Sequence, residues 1–515
     1  MRLLAVVLAI VLSLAFWYQA GREQQAGIGW VSGQKLQCVS YTPFVAGQSP
    51  LAGSVVEPRQ IERDFALLSH YFSCVRIYAV KDMQDLPALA RKYGLTVIAG
   101  AWITRDETAN EAEITQLIAL ANRWPDVISA VLVGNEVLLR QERSAAQLAR
   151  YLQRVKAAVH QPVSYGDVWD FWLQNPELAQ AVDFITIHLL PYWENQPSGI
   201  EDALRAVSDA HAAIERVFPG MEILIGETGW PSEGRQRERA VPSRVNQARF
   251  IRDFIRLAET SGWRYNLIEA FDQPWKRLNE GTVGGYWGMF DADRVDKGIL
   301  AGPVSNLPGW HRWLLLSLGL WLLLQTAAGW RNPGATLIAA LGANLAALHL
   351  LQAGLASRTP YELGWNLALA MVAAAVVYAW LRRLAGKPCP RWQEGAVLLL
   401  AVLACIEMLG LVFDPRYRQF PVAVFATPAF AIWFMRGGES DLAARARVLG
   451  ALLALCVPVV LVQETVFNAE ALGWTAVMTV LGCGLMRRGA QGRVLRGAAS
   501  VNSENTAAGA PRLTL

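Results

Sequence analysis

Two stretches decide the fold, Val133-Gly134-Asn135-Glu136-Val137 and Gly226-Glu227-Thr228-Gly229-Trp230-Pro231-Ser232-Glu233-Gly234. Each follows a short apolar run of the kind that forms a strand buried on both faces, and each ends that run with a carboxylate. Working outward, similar runs fall near 36–43, 74–80, 95–103, 127–135, 162–166, 183–190, 222–227 and 265–271, with amphipathic stretches between most of them. Eight strands separated by helices over about 240 residues predict an α/β fold, the (β/α)8 TIM barrel, in which groups at the strand ends meet at one mouth. Glu136 closes strand four and Glu227 strand seven, so the two acids are expected to face each other across that mouth.

The chain as a whole is too apolar for an ordinary soluble protein, so part of it is expected to sit in lipid. Mean hydropathy is +0.24 and only 17% of the 515 residues are charged. The apolar material is concentrated at Leu3–Tyr18 and from roughly Trp313 to Met486, which resolves into about seven candidate spans near 311–329, 334–356, 363–381, 394–413, 419–435, 448–467 and 469–486. The chain therefore divides into a membrane anchor or signal segment (1–20), a barrel (30–305), a polytopic α-helical membrane domain (311–488) and an Ala-, Ser-, Asn- and Gly-rich tail (497–515) expected to be disordered and cytoplasmic. Tyr18-Gln19-Ala20 is a poor cleavage site, which favours an anchor.

Loop charges set the expected orientation. Arg331, Arg382, Arg383, Lys387, Arg391, Arg436, Arg445, Arg447, Arg487, Arg488, Arg493 and Arg496 fall on one side, against Arg358, Arg416 and Arg418 on the other. The positive-inside rule then puts the barrel outside and the C-terminus inside, and a net charge of +4 needs no nucleic-acid partner. A lipid bilayer is the partner these segments require. Within the spans, Gln325, Asn344, His349, Asn366, Glu407 and Glu464 are costly in lipid; hydrogen bonding between helices accounts for the amides, while Glu407 is a carboxyl near mid-span.

Two acids at one barrel mouth are what cleavage of a glycosidic bond needs, one to protonate the departing oxygen and one to attack or to activate water. A lone Asn-Glu after a strand is ordinarily a polar strand end; its place half a barrel before Glu227 changes that reading. Whether the chemistry inverts or retains depends on the carboxylate separation, which sequence does not give.

The residues resemble glycoside hydrolase family 17, the β-1,3-glucanases and glucan transglycosylases, whose nucleophile string Glu-Thr/Ser-Gly-Trp-Pro-Ser recurs at Glu227 to Ser232. Gly134-Asn135-Glu136, Arg76-Ile77-Tyr78, Pro191-Tyr192-Trp193 and Glu269-Ala270-Phe271-Asp272-Gln273-Pro274-Trp275-Lys276 agree, and the resemblance covers roughly residues 35 to 300. It implies Glu136 as general acid/base, Glu227 as nucleophile of a retaining enzyme, and Asn135 holding the sugar 2-hydroxyl. Gln273 departs from the pattern, standing where an acid often follows the Asp. In layout the chain also resembles bacterial inner-membrane proteins that build periplasmic β-1,3/1,6-glucans.

Sugar faces pack on aromatic rings, so a glucan cleft should be lined with them. The expected substrate contacts are Asn135, Tyr41, Arg76, Tyr78, Tyr192, Trp193, Trp230, Trp275 and Lys276. For His188 a satisfied barrel histidine and a site role weigh equally. No cofactor and no metal are expected, because no cluster has ligand spacing and no nucleotide loop appears. Tyr41 and Arg76 taken as inward-facing would turn Cys38 outward and Cys74 inward, so free thiols are expected there. The reading is a periplasmic enzyme that remodels or branches β-1,3-glucan made by a separate synthase. Two alternatives stand beside it: a synthesis or export component whose main work lies in the membrane bundle, and a non-catalytic glucan-binding sensor.

Overall fold

The computed structural model describes residues 1–31, 33–435 and 440–488. Eight parallel strands close into a barrel: β1 (Leu36–Ser40), β2 (Phe72–Arg76), β3 (Thr96–Ala101), β4 (Ile128–Asn135), β5 (Val163–Val168), β6 (Ile185–Leu189), β7 (Ile223–Thr228) and β8 (Arg264–Leu267). Their outward residues, among them Val75, Val97, Val131, Ile185 and Ile225, are buried beneath the helices. Two-sided burial explains why these strands read as apolar runs rather than alternating patterns. The helices between them start and stop on local signals. Ser144 forms a reciprocal capping box with Gln147 at the head of Ala145–Lys156, and Ser243 caps Arg244–Ser261, which ends at Gly262 in the left-handed region.

The barrel interior is layered. At the base Cys38, Cys74, Ile98, Ala130, Leu132, Phe184 and Leu224 pack together. Above them the layer is polar: Ser40, Arg76, Ser164, Thr186 and Asn266 are fully or almost fully buried. Ser40 pairs in register with Arg76, and two positions below, Cys38 pairs with Cys74, with a disulfide between them. This corrects the expectation of free thiols. That expectation took Tyr41 as inward-facing, which sets the alternation of β1 one residue out of phase. Ser40 faces inward, and Tyr41 turns outward against Phe65, its hydroxyl donating to Asp64 at 3.0 Å.

Contacts divide the chain into two compact units, Glu23–Asn306 and a second made of Met1–Arg22 with the segment from Leu307 onward. Among the described residues of the second, six helices are long and apolar enough to cross a membrane: Arg2–Gly21, Pro333–Ala356, Pro360–Leu384, Gln393–Phe413, Asp441–Glu464 and Ala469–Met486. The segment expected to span at 419–435 forms the 13-residue helix Val422–Phe434, about 20 Å long and short of the ~30 Å hydrocarbon layer. The helix Trp310–Ala328 is long enough, but His311, Arg312 and Gln325 lower its hydropathy. Arg436, Arg493, Arg496 and the 497–515 tail lie outside the described residues.

The polar residues expected to be costly in lipid each make at least one hydrogen bond. Asn344 donates to Ser13 Oγ at 2.8 Å and accepts from Trp17 Nε1 at 2.8 Å, tying Arg2–Gly21 into the bundle. Gln325 donates to Thr336 Oγ1, the His349 ring meets the Asn366 carbonyl, Glu407 accepts from Trp365 Nε1, and Glu464 accepts from Asn468.

Candidate active site

The ends of β4 and β7 build the site. Gly134 takes φ of 90°, and a Cβ there would lie 2.6 Å from a Val137 methyl. Glu136 follows at φ of 53°, its N–H donating to the Gly166 carbonyl at 2.7 Å. This bend brings the Glu136 carboxylate to 2.9 Å from His188 Nδ1, leaving the side chain 23% exposed. Glu227 is buried, its Oε1 3.7 Å from His188 Nε2 and 3.6 Å from Arg76 Nη1. One oxygen of each acid and a His188 nitrogen all lie within 4.8 Å of one another.

Arg76 organises this group. It is 1% exposed and reaches across the barrel, donating to the Gly226 carbonyl and to Asn135 Oδ1 at 2.6 Å each. Two glycines make the passage possible: a Cβ on Gly166 would lie 3.0 Å from Arg76 Nη2, and one on Gly226 3.2 Å from Nη1. Asn266 donates to both Gly226 O and Ser40 Oγ, and Ser40 shares a hydrogen bond with the Tyr78 hydroxyl. The spacing of Glu136, His188 and Glu227 is one a metal ion could use, but the guanidinium 3.5 Å from His188 Nε2 already supplies the positive charge.

Electrostatics separate the acids of the mouth. Burial pushes the Glu136 carboxyl up, and the His188 hydrogen bond and charge, with Arg140 and Arg76, outweigh it and hold the group below its ordinary value. Burial carries Glu269 up to about 6 against its ion pair with Lys276, which grips both carboxylate oxygens at 2.9 Å. Glu280 is carried up to about 7 by burial, with the charges of Glu269, Glu136 and Glu227 adding to it. Burial likewise raises the Tyr78 hydroxyl, and the Glu227 charge adds to that.

Of the expected site residues, the structure brings together Glu136, Glu227, Asn135, Arg76 and Tyr78, with Lys276 joined through Glu269. Trp193 stacks on Trp287 at 6.4 Å, and Tyr192 is buried beside that pair with its hydroxyl on Arg235 O. Trp275 stands edge-on to Phe44, its N–H on the Gln273 side-chain oxygen; Gln273 also donates to the Thr42 carbonyl and so braces this corner. Trp230 is fully buried against Phe250, and Tyr41 lies behind the barrel wall, so neither joins the cluster. Sequence reading gave no role to Glu269 or Glu280. Lys276, seven residues after Glu269 and four before Glu280, is the available signal, since a lysine in a turn at the strand ends, largely out of water, calls for carboxylates.

A closed (β/α)8 barrel with two carboxylates converging at the strand ends is the architecture of a glycosidase. Comparison with known proteins gives the family. Residues 38–288 match the BtgE/BtgC glycoside hydrolase domain. A glucan 1,3-beta-glucosidase of Schizosaccharomyces pombe is 30% identical over 253 residues, 45% of this chain and 78% of the relative. A glucan 1,3-beta-glucosidase of Saccharomyces cerevisiae is 26% identical over 286 residues, 50% of this chain and 89% of the relative. Among solved structures, the family 17 β-1,3-glucanosyltransferase of Rhizomucor miehei shares 26% identity, covering 52% of this chain and 97% of that one, with a TM-score of 0.46. The chain belongs to the BtgE/BtgC glycoside hydrolases of family 17, and it is a glycosidase or transglycosylase.

Proposed function

We propose that residues 30–305 form a retaining catalytic domain acting on β-1,3-glucan, with Glu227 as nucleophile and Glu136 as general acid/base. The observation that carries this reading is the approach of the two carboxylates, one oxygen of each lying within 4.8 Å of the other. Retaining enzymes hold their carboxyls roughly 5–5.5 Å apart, and inverting ones need about 6.5–9.5 Å to admit a water between acid and sugar. The substrate class follows the two yeast relatives, both glucan 1,3-beta-glucosidases.

The chemistry runs in two displacements. A Glu227 oxygen attacks the anomeric carbon as the glycosidic C–O bond breaks, and the Glu136 proton passes to the departing oxygen. An acceptor hydroxyl then attacks the same carbon, gives its proton to Glu136 and releases Glu227. Arg76, fixed between Gly226 and Asn135, supports the ionised nucleophile, and Asn135 faces the sugar 2-hydroxyl. Sugar entering the mouth displaces water from Glu136 and raises its proton affinity, which suits the acid step. Tyr78, Lys276, Trp193 and Trp275, with Tyr192 behind Trp193, complete the substrate contacts.

Residues 311–488 with the N-terminal helix hold this domain on the outer face of the inner membrane, in the periplasm, where it remodels or branches glucan newly made by a separate synthase. The loop arginine bias supports that orientation, and a disulfide in the barrel suits an oxidising compartment.

The test is product analysis of the full-length protein on laminari-oligosaccharides, beside Glu227→Gln and Glu136→Gln. Products longer than the substrate, lost in both variants, establish a transglycosylase; shorter products alone establish a hydrolase. Turnover that survives in both variants defeats the assignment.

A further inference from the structure

Trp102 follows β3 directly and keeps 38% of its surface exposed, unlike Tyr192, Trp230 and Trp287, which are buried. An indole that large, left in water at the strand ends of a barrel, has a face available for an apolar partner. The ring is also held in place. The Arg140 guanidinium lies 4.2 Å from its centroid, a cation–π contact that covers one face. Arg140 is itself locked, donating to the Asn135 carbonyl through Nε at 3.2 Å and Nη2 at 2.8 Å, to the Ile103 carbonyl at 3.0 Å, and pairing with Glu142 at 3.5 Å. With its donors committed to carbonyls, this arginine acts as a bracket between the indole and the peptide that carries Glu136.

The strand order decides which sugar the free face meets. β3 adjoins β4, which presents Glu136, and stands across the barrel from β7, which presents Glu227. On the reading above, Glu136 protonates the oxygen of the departing sugar, so that oxygen lies at the end of β4, whose neighbour β3 carries Trp102. In the reverse step an acceptor glucan occupies the same place.

We propose that Trp102 is the platform for the glucosyl unit on the leaving-group and acceptor side of the cleft, and that it sets the partition between transfer to glucan and transfer to water. The proposal rests on the double-displacement reading of Glu136 and Glu227. A stacked acceptor is present at high effective concentration when the covalent intermediate forms; without the platform, water competes on better terms.

The experiment gives reducing-end-labelled laminarihexaose to the full-length protein in detergent and reads two quantities at equal conversion, the ratio of transfer to hydrolysis and the position of cleavage. In Trp102→Ala the ratio falls by on the order of tenfold, the worth of one aromatic contact, and the cut moves toward the reducing end because fewer sugars are held on that side. Trp102→Phe keeps both near the parent. If the parent only hydrolyses, the cleavage position alone decides. An unchanged ratio and position in Trp102→Ala overturns the proposal, as does an equal loss of hydrolysis and transfer that Phe does not restore, which would make the ring a brace for the catalytic loop. Glu227→Gln run in parallel separates the two claims: turnover in that variant refutes the double displacement itself, while its loss beside an unmoved Trp102→Ala refutes the platform alone.

Discussion

Replacing Arg76 by Met tests the claim that one buried guanidinium holds the acids together. The residue is 1% exposed, so the change acts inside the barrel, and Met approximates the volume of the arginine stem. Two 2.6 Å hydrogen bonds vanish. The Gly226 carbonyl keeps its bond from Asn266 at 2.8 Å, but Asn135 Oδ1 loses its donor, at a cost of about 1–3 kcal/mol. The larger effect is on Glu227, left without the cation 3.6 Å away. Breaking a buried pair from one side costs about 3–5 kcal/mol in all. At ~2–3 °C per kcal/mol for a domain of this size, scanning fluorimetry of the full-length protein in detergent should register a fall of about 6–15 °C in Tm. The decisive measurement is the double variant Arg76→Met with Glu227→Gln. If the destabilisation comes from a stranded carboxylate, removing its charge restores stability, with a coupling of about 1–3 kcal/mol. A double variant as unstable as Arg76→Met alone, or a single-variant shift below about 2 °C, would refute the reasoning.

Three further outcomes follow from the same geometry. His188 holds the Glu136 carboxyl below its ordinary value, so His188→Ala removes the group favouring the ionised form, the acid stays protonated to higher pH, and the basic limb of the pH–rate profile moves upward; a limb that stays or moves down contradicts the assignment. A Cβ in Gly226→Ala would meet Thr186 Cγ2 at 2.4 Å and Arg76 Nη1 at 3.2 Å, so overpacking should cost about 1–3 kcal/mol in denaturant titration and depress kcat more than stability alone accounts for. Opening the Cys38–Cys74 link by Ser at both positions frees a loop with a sequence separation of 36, worth about 3–4 kcal/mol in Tm-based stability, with kcat at low temperature changed far less.

The sequence by itself determined the eight strands, their order and the two acids that end β4 and β7. These are local facts: a strand buried on both faces must be apolar along its length, and a glycine before a carboxylate marks where it ends. It also determined that the chain carries helices suited to lipid, because length and hydropathy are summed along the chain. The tertiary structure alone decided what neighbours decide. Cys38 faces Cys74 because register pairs them, and the parity borrowed from Tyr41 failed because that ring packs outward on Phe65 rather than into the barrel. Trp230 and Tyr41 are buried although their place in the chain would equally suit a cleft, since a ring beside a strand end can turn toward the helices or toward the mouth, and packing chooses. His188, evenly balanced between core and site in the sequence, bridges the two acids because β6 lies between β4 and β7 in the closed barrel. The approach of Glu136 to Glu227 has the same origin: the strand order brings the acids to one mouth, and only the bend at Gly134 and Glu136, with Arg76 reaching through the interior, sets how near they come.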